Sequence, residues 1–229
     1  MEILLFVFIP LAALAPGFSW LFFFLKEDVH PEPKRLIVYV FGMGMIASIP
    51  IVLLQIAGQA IFSPFSALIV LILLALVEEA FKFGAAYFAI AKHPAFNEPI
   101  DAMIYMIVAA LGLATAENLF VLADTIGVRG ITAMTDIVDV VVLRFVGATF
   151  LHALASGLMG YYWAVGKLRN SVGKYVMIGI AVATVVHVIF NTLILTFQNI
   201  DFLIYPSLFL VGASFFLFKD FEKLKARST

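Results

Sequence analysis

Apolar residues occupy this chain in long runs that short polar or Pro- and Gly-containing segments interrupt. A helix rises about 1.5 Å per residue, so a run of about 20 apolar residues crosses a hydrocarbon core of about 30 Å. The pattern predicts an all-α polytopic membrane bundle of about seven transmembrane helices, at residues 3–25, 36–57, 66–91, 101–124, 139–166, 173–198 and 203–218. No sequence repeat divides the chain, and we expect a single domain, residues 1–229.

The composition supports membrane insertion. Of the 229 residues, 64% are apolar and 13% are charged, and the mean hydropathy is +1.10. A soluble domain averages roughly 45–50% apolar and about 25% charged residues. The formal net charge is −1 with no basic cluster, so nucleic acid is not an expected partner. Cysteine is absent, which excludes disulfides, thiol nucleophiles and cysteine-ligated metals.

The distribution of Lys and Arg predicts the orientation in the cell membrane. Eleven of the 14 basic residues lie in the first, third and fifth connections or in the C-terminal tail, whereas the opposite side holds only Arg129. Because basic residues favour the cytoplasm, we expect the N-terminus outside and the C-terminus cytoplasmic. The basic tail, residues 219–229, is expected to meet anionic lipid headgroups. Residues 124–139 are expected to form a longer external loop.

Three ionisable residues, Glu78, Glu79 and Lys82, lie near the centre of the third predicted helix. Charges at this depth are costly, so such residues indicate a functional site. Lys82 follows Glu78 by four residues and Glu79 by three, which places all three on one helix face. One lysine neutralises one carboxylate, and the other needs a proton, a metal ion or a cation from another helix. An ion pair that only locks helices together is the alternative.

Two histidines lie at the same predicted depth as Glu78. Counted from the predicted cytoplasmic ends of their helices, Glu78, His152 and His187 lie 13 or 14 residues in, which is roughly 20 Å. Carboxylates and imidazoles in one layer could bind Zn²⁺ or polarise a water molecule. The alternative is that both histidines are satisfied residues of the helical core.

Glu117 and Arg144 lie closer to the predicted external ends of their helices. Two interpretations stay open for this pair. Either Glu117 and Arg144 form a structural ion pair, or Glu117 joins the layer of Glu78 and the histidines.

Two further polar residues follow the histidines by one helical turn. Asn191 follows His187 and could donate its amide hydrogens to a developing oxyanion. Ser156 follows His152 and could act as a nucleophile with His187 as its base. Ser156 is followed by Gly157 and, four residues on, by Gly160, and small residues at this spacing also let membrane helices pack closely.

At these residues the chain resembles the PrsW-type intramembrane proteases, which are relatives of the CAAX-processing membrane proteases. Residues 78–82, EEAFK, match the family's EExxK motif. Residues 113–118, LATAEN, look like its FxxxEN element with Leu113 in place of Phe. Residues 144–161 look like the third motif, and residues 187–191, HVIFN, like the fourth, where Asp often stands in place of Asn191. The resemblance covers roughly residues 70–195.

The resemblance implies an intramembrane endopeptidase that cleaves membrane-anchored proteins such as anti-sigma factors in the lipid bilayer. Carried onto this chain, Glu78 would activate the water, Glu79 and Lys82 would orient it, and Asn191 and His187 would complete the catalytic set. The implied metal ligands, with Zn²⁺ as the candidate ion, are Glu78, Glu117, His152 and His187, and Arg144 and Ser156 are supporting residues. Related enzymes are described as metal-free glutamate proteases, so the resemblance leaves the metal open.

Two other classes of function also fit the polar residues inside the helices. Buried Glu and His side chains serve as proton relays in proton- or cation-coupled transporters. A non-catalytic scaffold subunit could use the same layer to specify helix packing.

Overall fold

A computed structural model describes residues 2–61, 65–129, 134–197 and 203–227, with side chains at 9–58, 61, 65–125, 138–197 and 203–227. The regular structure of these residues is helical throughout, which confirms the predicted all-α class. The helices are α1 (Glu2–Phe24), α2 (Lys34–Ile61), α3 (Ala67–Ile90), α4 (Asp101–Arg129), α5 (Met134–Leu143), α6 (Thr149–Leu168), α7 (Val172–Thr196) and α8 (Ile204–Lys225). A short 3₁₀ turn, Leu25–Glu27, follows α1, and a π-helical turn, Arg144–Ala148, joins α5 to α6.

The described part of the chain contains six segments that are long and apolar enough to cross a membrane. They lie in α1, α2, α4, α7, α8 and the continuous unit formed by α5, the π-turn and α6. Helix α3 has a similar length of 24 residues, but it carries three ionisable side chains near its middle. The protein is therefore a multi-pass membrane protein. Its predicted orientation across the bilayer stays a prediction.

The expected external loop at residues 124–139 is wrong for the residues that the structure describes. Helix α4 continues to Arg129 and α5 begins at Met134, while residues 130–133 lie outside the described chain. The loop was inferred from glycines and aspartates, but a glycine inside a helix costs only about 1 kcal/mol relative to alanine. A long helix tolerates that cost because adding a residue to an existing helix is much easier than nucleating one.

The π-turn changes the path of the predicted fifth transmembrane helix. The Thr149 N–H donates to the Arg144 carbonyl, five residues back, so this turn holds one more residue than an α-helical turn. Trp20 of α1 packs against this π-turn. The Trp20 Nε1–H donates to the Phe145 carbonyl at 2.8 Å, and the Trp20 ring stacks on Phe150 with centroids 4.1 Å apart. The extra residue shifts the helix face on which Arg144 lies.

Helix α4 forms the centre of the bundle and packs against α1, α2, α3 and α6. The close approach of α2 and α6 to α4 depends on glycine. A Cβ atom on Gly44 would collide with the Ala109 carbonyl of α4, and one on Gly160 of α6 would lie 2.5 Å from the Ala102 carbonyl oxygen. Small residues thus let α2 and α6 contact the backbone of α4 directly. Helix α7 packs on α6 and α3, which places the two histidine helices beside the Glu-Glu-Lys helix.

Candidate active site

Helix α3 directs Glu78, Glu79 and Lys82 into the bundle, where their exposed fractions are 5%, 0% and 0%. Lys82 Nζ lies 2.6 Å from Glu79 Oε1 and 3.3 Å from Glu78 Oε1. The spacing of the three residues predicted this shared face. One ammonium thus stands between two buried carboxylates, and the additional negative charge must be compensated by other helices.

Helix α6 supplies the first imidazole. His152 Nδ1 lies 3.2 Å from Glu78 Oε1 and 3.1 Å from Lys82 Nζ. On the other side of the ring, His152 Nε2 lies 3.1 Å from Glu117 Oε2 of α4. The ammonium of Lys82 can only donate, so this arrangement fits a neutral His152 that accepts at Nδ1 and donates from Nε2 to Glu117.

Helix α7 supplies the second imidazole. His187 Nδ1 lies 2.7 Å from Glu79 Oε1 and 3.7 Å from Glu78 Oε1. The rings of His187 and His152 meet edge to face with centroids 5.5 Å apart. Each imidazole therefore contacts one supporting carboxylate, and both rings lie beside Glu78. Glu78, His152 and His187, for which the sequence predicted equal depth, therefore lie close together in the structure.

Glu117 satisfies both interpretations that the sequence left open. Its Oε2 atom lies 3.1 Å from Arg144 Nη2 and also 3.1 Å from His152 Nε2. Glu117 thus pairs with Arg144 and belongs to the polar cluster. Their side chains are 22% and 18% exposed, whereas that of His152 is 4% exposed, so Glu117 and Arg144 form the more accessible edge of the site.

Asn118 is a site residue that the sequence reasoning did not select. Its Oδ1 accepts a short hydrogen bond from Arg144 Nε. Its Nδ2 donates to the Ala13 carbonyl of α1 at 3.2 Å and to Thr149 Oγ1 of α6 at 3.3 Å. The buried amide therefore connects α1, α4 and α6 and holds the Arg144 guanidinium that contacts Glu117. Its place beside Glu117 in the LATAEN stretch was the available signal.

Asn191 and Ser156 are not brought into contact with the carboxylates. The Asn191 side chain makes no hydrogen bond within the described residues, although it follows His187 by one turn. Ser156 is fully buried, and its Oγ has no hydrogen-bond partner there. The close contact of nearby Gly160 with α4 fits a packing role for this stretch of α6. The proposed chemical roles of both residues stay predictions.

The cluster also has the composition of a metal site. Glu78, His152 and His187 each offer one ligand atom, and these atoms lie within 4.8 Å of one another. Glu78 Oε1 and Glu79 Oε2 are buried and lack a hydrogen-bond partner of suitable geometry in the described chain. Two imidazoles and one carboxylate are the ligand set of several catalytic metal centres with one open position. The residues therefore fit a metal ion.

Buried acids and imidazoles that several helices bring together inside a membrane bundle are the groups with which a membrane-embedded hydrolase activates water, and proton relays use the same groups. Comparison with protein families favours the hydrolase: the profile described as PrsW family intramembrane metalloprotease matches residues 32–218. The chain belongs to this family. It is accordingly an intramembrane protease of the cell membrane, which acts on membrane proteins, and neither the transporter nor the scaffold alternative is supported.

Individual relatives give the same result, and each is named Protease PrsW. The protein from Geobacillus kaustophilus is 32% identical over 167 residues, which cover 71% of this chain and 68% of the relative. That from Oceanobacillus iheyensis is 28% identical over 202 residues, covering 87% and 89%. The Bacillus subtilis protein is 25% identical over 200 residues, covering 82% and 83%. No solved structure matches the chain.

Proposed function

We propose that Glu78 activates the water that attacks the scissile peptide bond. The observation that carries this assignment is the environment of Glu78 Oε1. It lies within 3.7 Å of Lys82 Nζ and of Nδ1 of both histidines, yet no donor in the described chain meets it with hydrogen-bond geometry. A carboxylate in such a position can accept a proton from a bound water molecule.

Glu78, His152 and His187 are the residues that would hold a zinc ion. Bound zinc lowers the pKa of its water ligand and polarises the substrate carbonyl. A carboxylate has two oxygens, so one oxygen of Glu78 can face the ion while the other accepts the proton of the water. Glu117, placed in the metal set by the resemblance, contacts His152 from behind and is proposed as its supporting carboxylate. Such partners fix the orientation of a ligating imidazole.

The remaining charged residues are proposed to hold the site in place. Lys82 compensates the charge of Glu78 and Glu79, and Glu79 accepts a hydrogen bond from His187 Nδ1. Asn191 is proposed to donate to the developing oxyanion from its position one turn beyond His187. Ser156 is assigned to helix packing.

The substrate class is proposed from the resemblance. We infer that the chain acts as a single protease domain, residues 1–229, on membrane-anchored proteins of the anti-sigma-factor kind. A hydrolytic site at mid-membrane depth suits such substrates, because their scissile bond lies inside or beside the bilayer.

The test combines elemental analysis with a cleavage assay on purified protein in nanodiscs that contain a single-span membrane protein as substrate. We expect one zinc ion per chain, loss of cleavage on chelation and recovery on zinc addition. Full cleavage by zinc-free protein would overturn the metal assignment alone. Full cleavage by a correctly folded Glu78→Gln variant would overturn the role of Glu78.

A further inference from the structure

A polar pocket of about 220 Å³ lies between the C-terminal ends of α6 and α8, far from the carboxylate–imidazole cluster along both helices. Three of its six lining residues are cationic, and none is acidic. The lining residues are Tyr161, Val165, Arg169, Lys223, Leu224 and Arg227. The pocket contains no residue of the candidate active site, so the proteolytic function does not account for it.

Two of the three cations have no carboxylate partner among the residues that the structure describes. Lys223 Nζ lies 2.5 Å from Asp220 Oδ1 and is therefore paired. The hydrogen bond of Arg169 goes to the neutral Tyr175 hydroxyl, at 2.5 Å. Neither Arg169 nor Arg227 forms an ion pair with a carboxylate of the described residues. Nearby Lys225, by contrast, lies between two glutamates and is neutralised.

Basic residues near helix C-termini also have an ordinary explanation, because they interact favourably with the helix dipole. That explanation accounts for the charges but not for an open polar pocket between two helices. The pocket lies on the predicted cytoplasmic side, where the leaflet carries anionic lipids, and Tyr161 and Tyr175 stand there as interfacial aromatic residues do. The phosphate groups of these lipids are therefore expected close to the pocket.

An apolar groove of about 480 Å³ continues from this pocket along the same two helices towards the membrane interior, with α7 as its third wall. Leu158 and Tyr162 line it on α6, and Phe216 and Asp220 on α8. On α6, Leu158 and Tyr162 share a helix face with the pocket residues Val165 and Arg169, since consecutive members of this series are four, three and four residues apart. The Asp220–Lys223 pair marks the junction between groove and pocket. A polar end followed by an apolar groove is complementary to an amphipathic molecule.

We propose that this combined surface binds one acidic phospholipid, with its phosphate in the polar pocket and one acyl chain in the groove. Arg169 and Arg227 donate to the phosphate oxygens, for which the planar guanidinium is well suited. The acyl chain covers Leu158 and Phe216, which otherwise line an unfilled groove. The bound lipid bridges α6 and α8, and α6 carries His152. The proposal does not depend on the proposed function, because lipid binding is measured without a substrate.

The headgroup is tested by native mass spectrometry of the full chain titrated with dioleoyl phosphatidylglycerol, dioleoyl phosphatidylcholine or inorganic phosphate. Arg169→Gln and Arg227→Gln should each weaken phosphatidylglycerol binding about fivefold, the effect expected for one basic residue near a membrane surface. Arg35→Gln and Lys92→Gln remove exposed charges outside the pocket and outside the basic tail, and each should change phosphatidylglycerol binding less than twofold. Equal losses in all four variants, or no loss in the first two, would overturn the site. Binding of inorganic phosphate with the same response would overturn the lipid as its ligand.

The acyl chain is tested by filling the groove. A Cβ on Gly212, which lines the groove, would meet nothing within 4 Å, so Gly212→Leu projects a side chain into open space. We expect at least fivefold weaker phosphatidylglycerol binding. Gly42→Leu on α2 is the matched control, because a Cβ there also meets nothing within 4 Å. Unchanged binding in Gly212→Leu would overturn the acyl-chain assignment, as would equal loss in Gly42→Leu. Melting temperatures of all variants exclude misfolding as the cause.

Discussion

The protein gathers carboxylates in two places, and the two groups satisfy their charges in different ways. In the membrane interior, Glu78, Glu79 and Glu117 lie against two cations, Lys82 and Arg144, and against two imidazoles from separate helices. The second group lies where the connections after α1 and α3 meet. It consists of Asp28, Glu32, Glu98 and Asp101, and we refer to it as the acidic connection cluster.

The acidic connection cluster uses its oxygens for local structure. Asp28 accepts the backbone N–H of Glu32 at 3.1 Å, and Asp101 accepts the backbone N–H of Glu98 at 2.7 Å. Glu32 accepts from the Tyr105 hydroxyl at 2.6 Å. The Tyr105 contact joins the first connection to α4, and His30 of that connection lies 2.6 Å from Glu98 of the other. Local hydrogen bonds of this kind compensate the loss of hydration without requiring an external ligand.

The comparison shows what distinguishes a reactive group of acids from a structural one. Within the described residues, the one set of three acid or imidazole side chains whose ligand atoms lie within 4.8 Å is Glu78, His152 and His187. The acidic connection cluster holds four carboxylates, one more than the interior group, but no such set, because its contacts are with backbone N–H groups, the Tyr105 hydroxyl and His30. Unsatisfied atoms facing one another, rather than the number of acids, mark the candidate active site.

The largest expected difference between the two groups is in catalysis. Glu78→Gln should lower kcat by about 10³-fold, because a general base contributes roughly 10²–10⁴-fold. Glu32→Gln makes the same chemical change in the acidic connection cluster and should leave kcat within twofold. Cleavage rates in nanodiscs, with melting curves for both variants, measure this. Equal losses of kcat in the two folded variants would contradict a catalytic role that belongs to Glu78 and not to the acidic connection cluster.

The second largest expected difference between the two groups is in their effect on zinc binding. His152→Ala and His187→Ala should each weaken zinc binding by at least about 100-fold, since each removes one of three proposed ligands and supporting residues alone are worth about 10–100-fold. His30→Ala removes the imidazole that lies 2.6 Å from Glu98 in the acidic connection cluster and should leave zinc binding unchanged. Competition with a fluorescent zinc chelator gives the affinities. Undiminished binding in either of the first two variants would exclude that histidine as a ligand.

A smaller effect is expected from Asn118, which holds Arg144 behind Glu117. Asn118→Leu should lower kcat about tenfold, at the lower end of the range for supporting residues. Asn118→Asp keeps an oxygen for Arg144 and should recover most of that loss. Thr149→Val removes the other side-chain partner of Asn118 without touching Arg144, so it serves as the control and should stay within twofold. A Thr149→Val loss as large as that of Asn118→Leu would show that the amide only ties helices together.

The smallest effect concerns the pH dependence of stability. Burial raises the pKa of Glu32 from 4.5 to about 7, with the nearby Asp28 and Asp101 acting in the same direction against the Tyr105 hydrogen bond. The folded protein then binds more protons than the unfolded chain between these values, so the free energy of unfolding falls as pH rises from about 4.5 to 7.

Glu32→Gln removes this titration. The decrease in melting temperature between pH 5 and pH 8 should therefore be smaller than in the unmodified protein by about 2–4 °C, which corresponds to roughly 1 kcal/mol in a chain of this size. Groups that do not interact with Glu32 titrate equally in both proteins, so the difference between the two curves reports Glu32 together with its neighbours Asp28 and Asp101. Parallel curves would show that Glu32 is already ionised throughout this range.

The sequence predicted the parts of the site that depend on helix periodicity. The spacing of Glu78, Glu79 and Lys82 places them on one face in any α-helix, and equal depths place His152 and His187 in the same layer. The thickness of the bilayer limits the length of each membrane-spanning helix, so residues counted from the same side can be compared by depth. The position of Glu117 left two interpretations open, and the family resemblance placed it among the implied metal ligands.

The parts that the sequence could not predict depend on irregular geometry. Arg144 reaches Asn118 and Glu117 from a π-turn, and an extra residue in a helical turn leaves no clear sequence pattern. The acidic connection cluster depends on backbone donors whose directions are set by the fold of two connections. The first half of α5, residues 134–138, was assigned to a loop because its polar residues resemble those of a loop, whereas residues 139–143 were predicted as helix.

The most direct test of the central claim counts new protein N-termini by mass spectrometry in cell membranes that contain the unmodified protein, Glu78→Gln or Glu32→Gln at equal abundance. This measurement detects cleavage of any membrane protein, whatever the identity of the substrate. We predict N-termini within or beside transmembrane segments of other proteins for the unmodified protein and for Glu32→Gln, and their loss for Glu78→Gln. The same N-termini at equal abundance in the Glu78→Gln membranes would contradict a hydrolytic centre built on Glu78, His152 and His187.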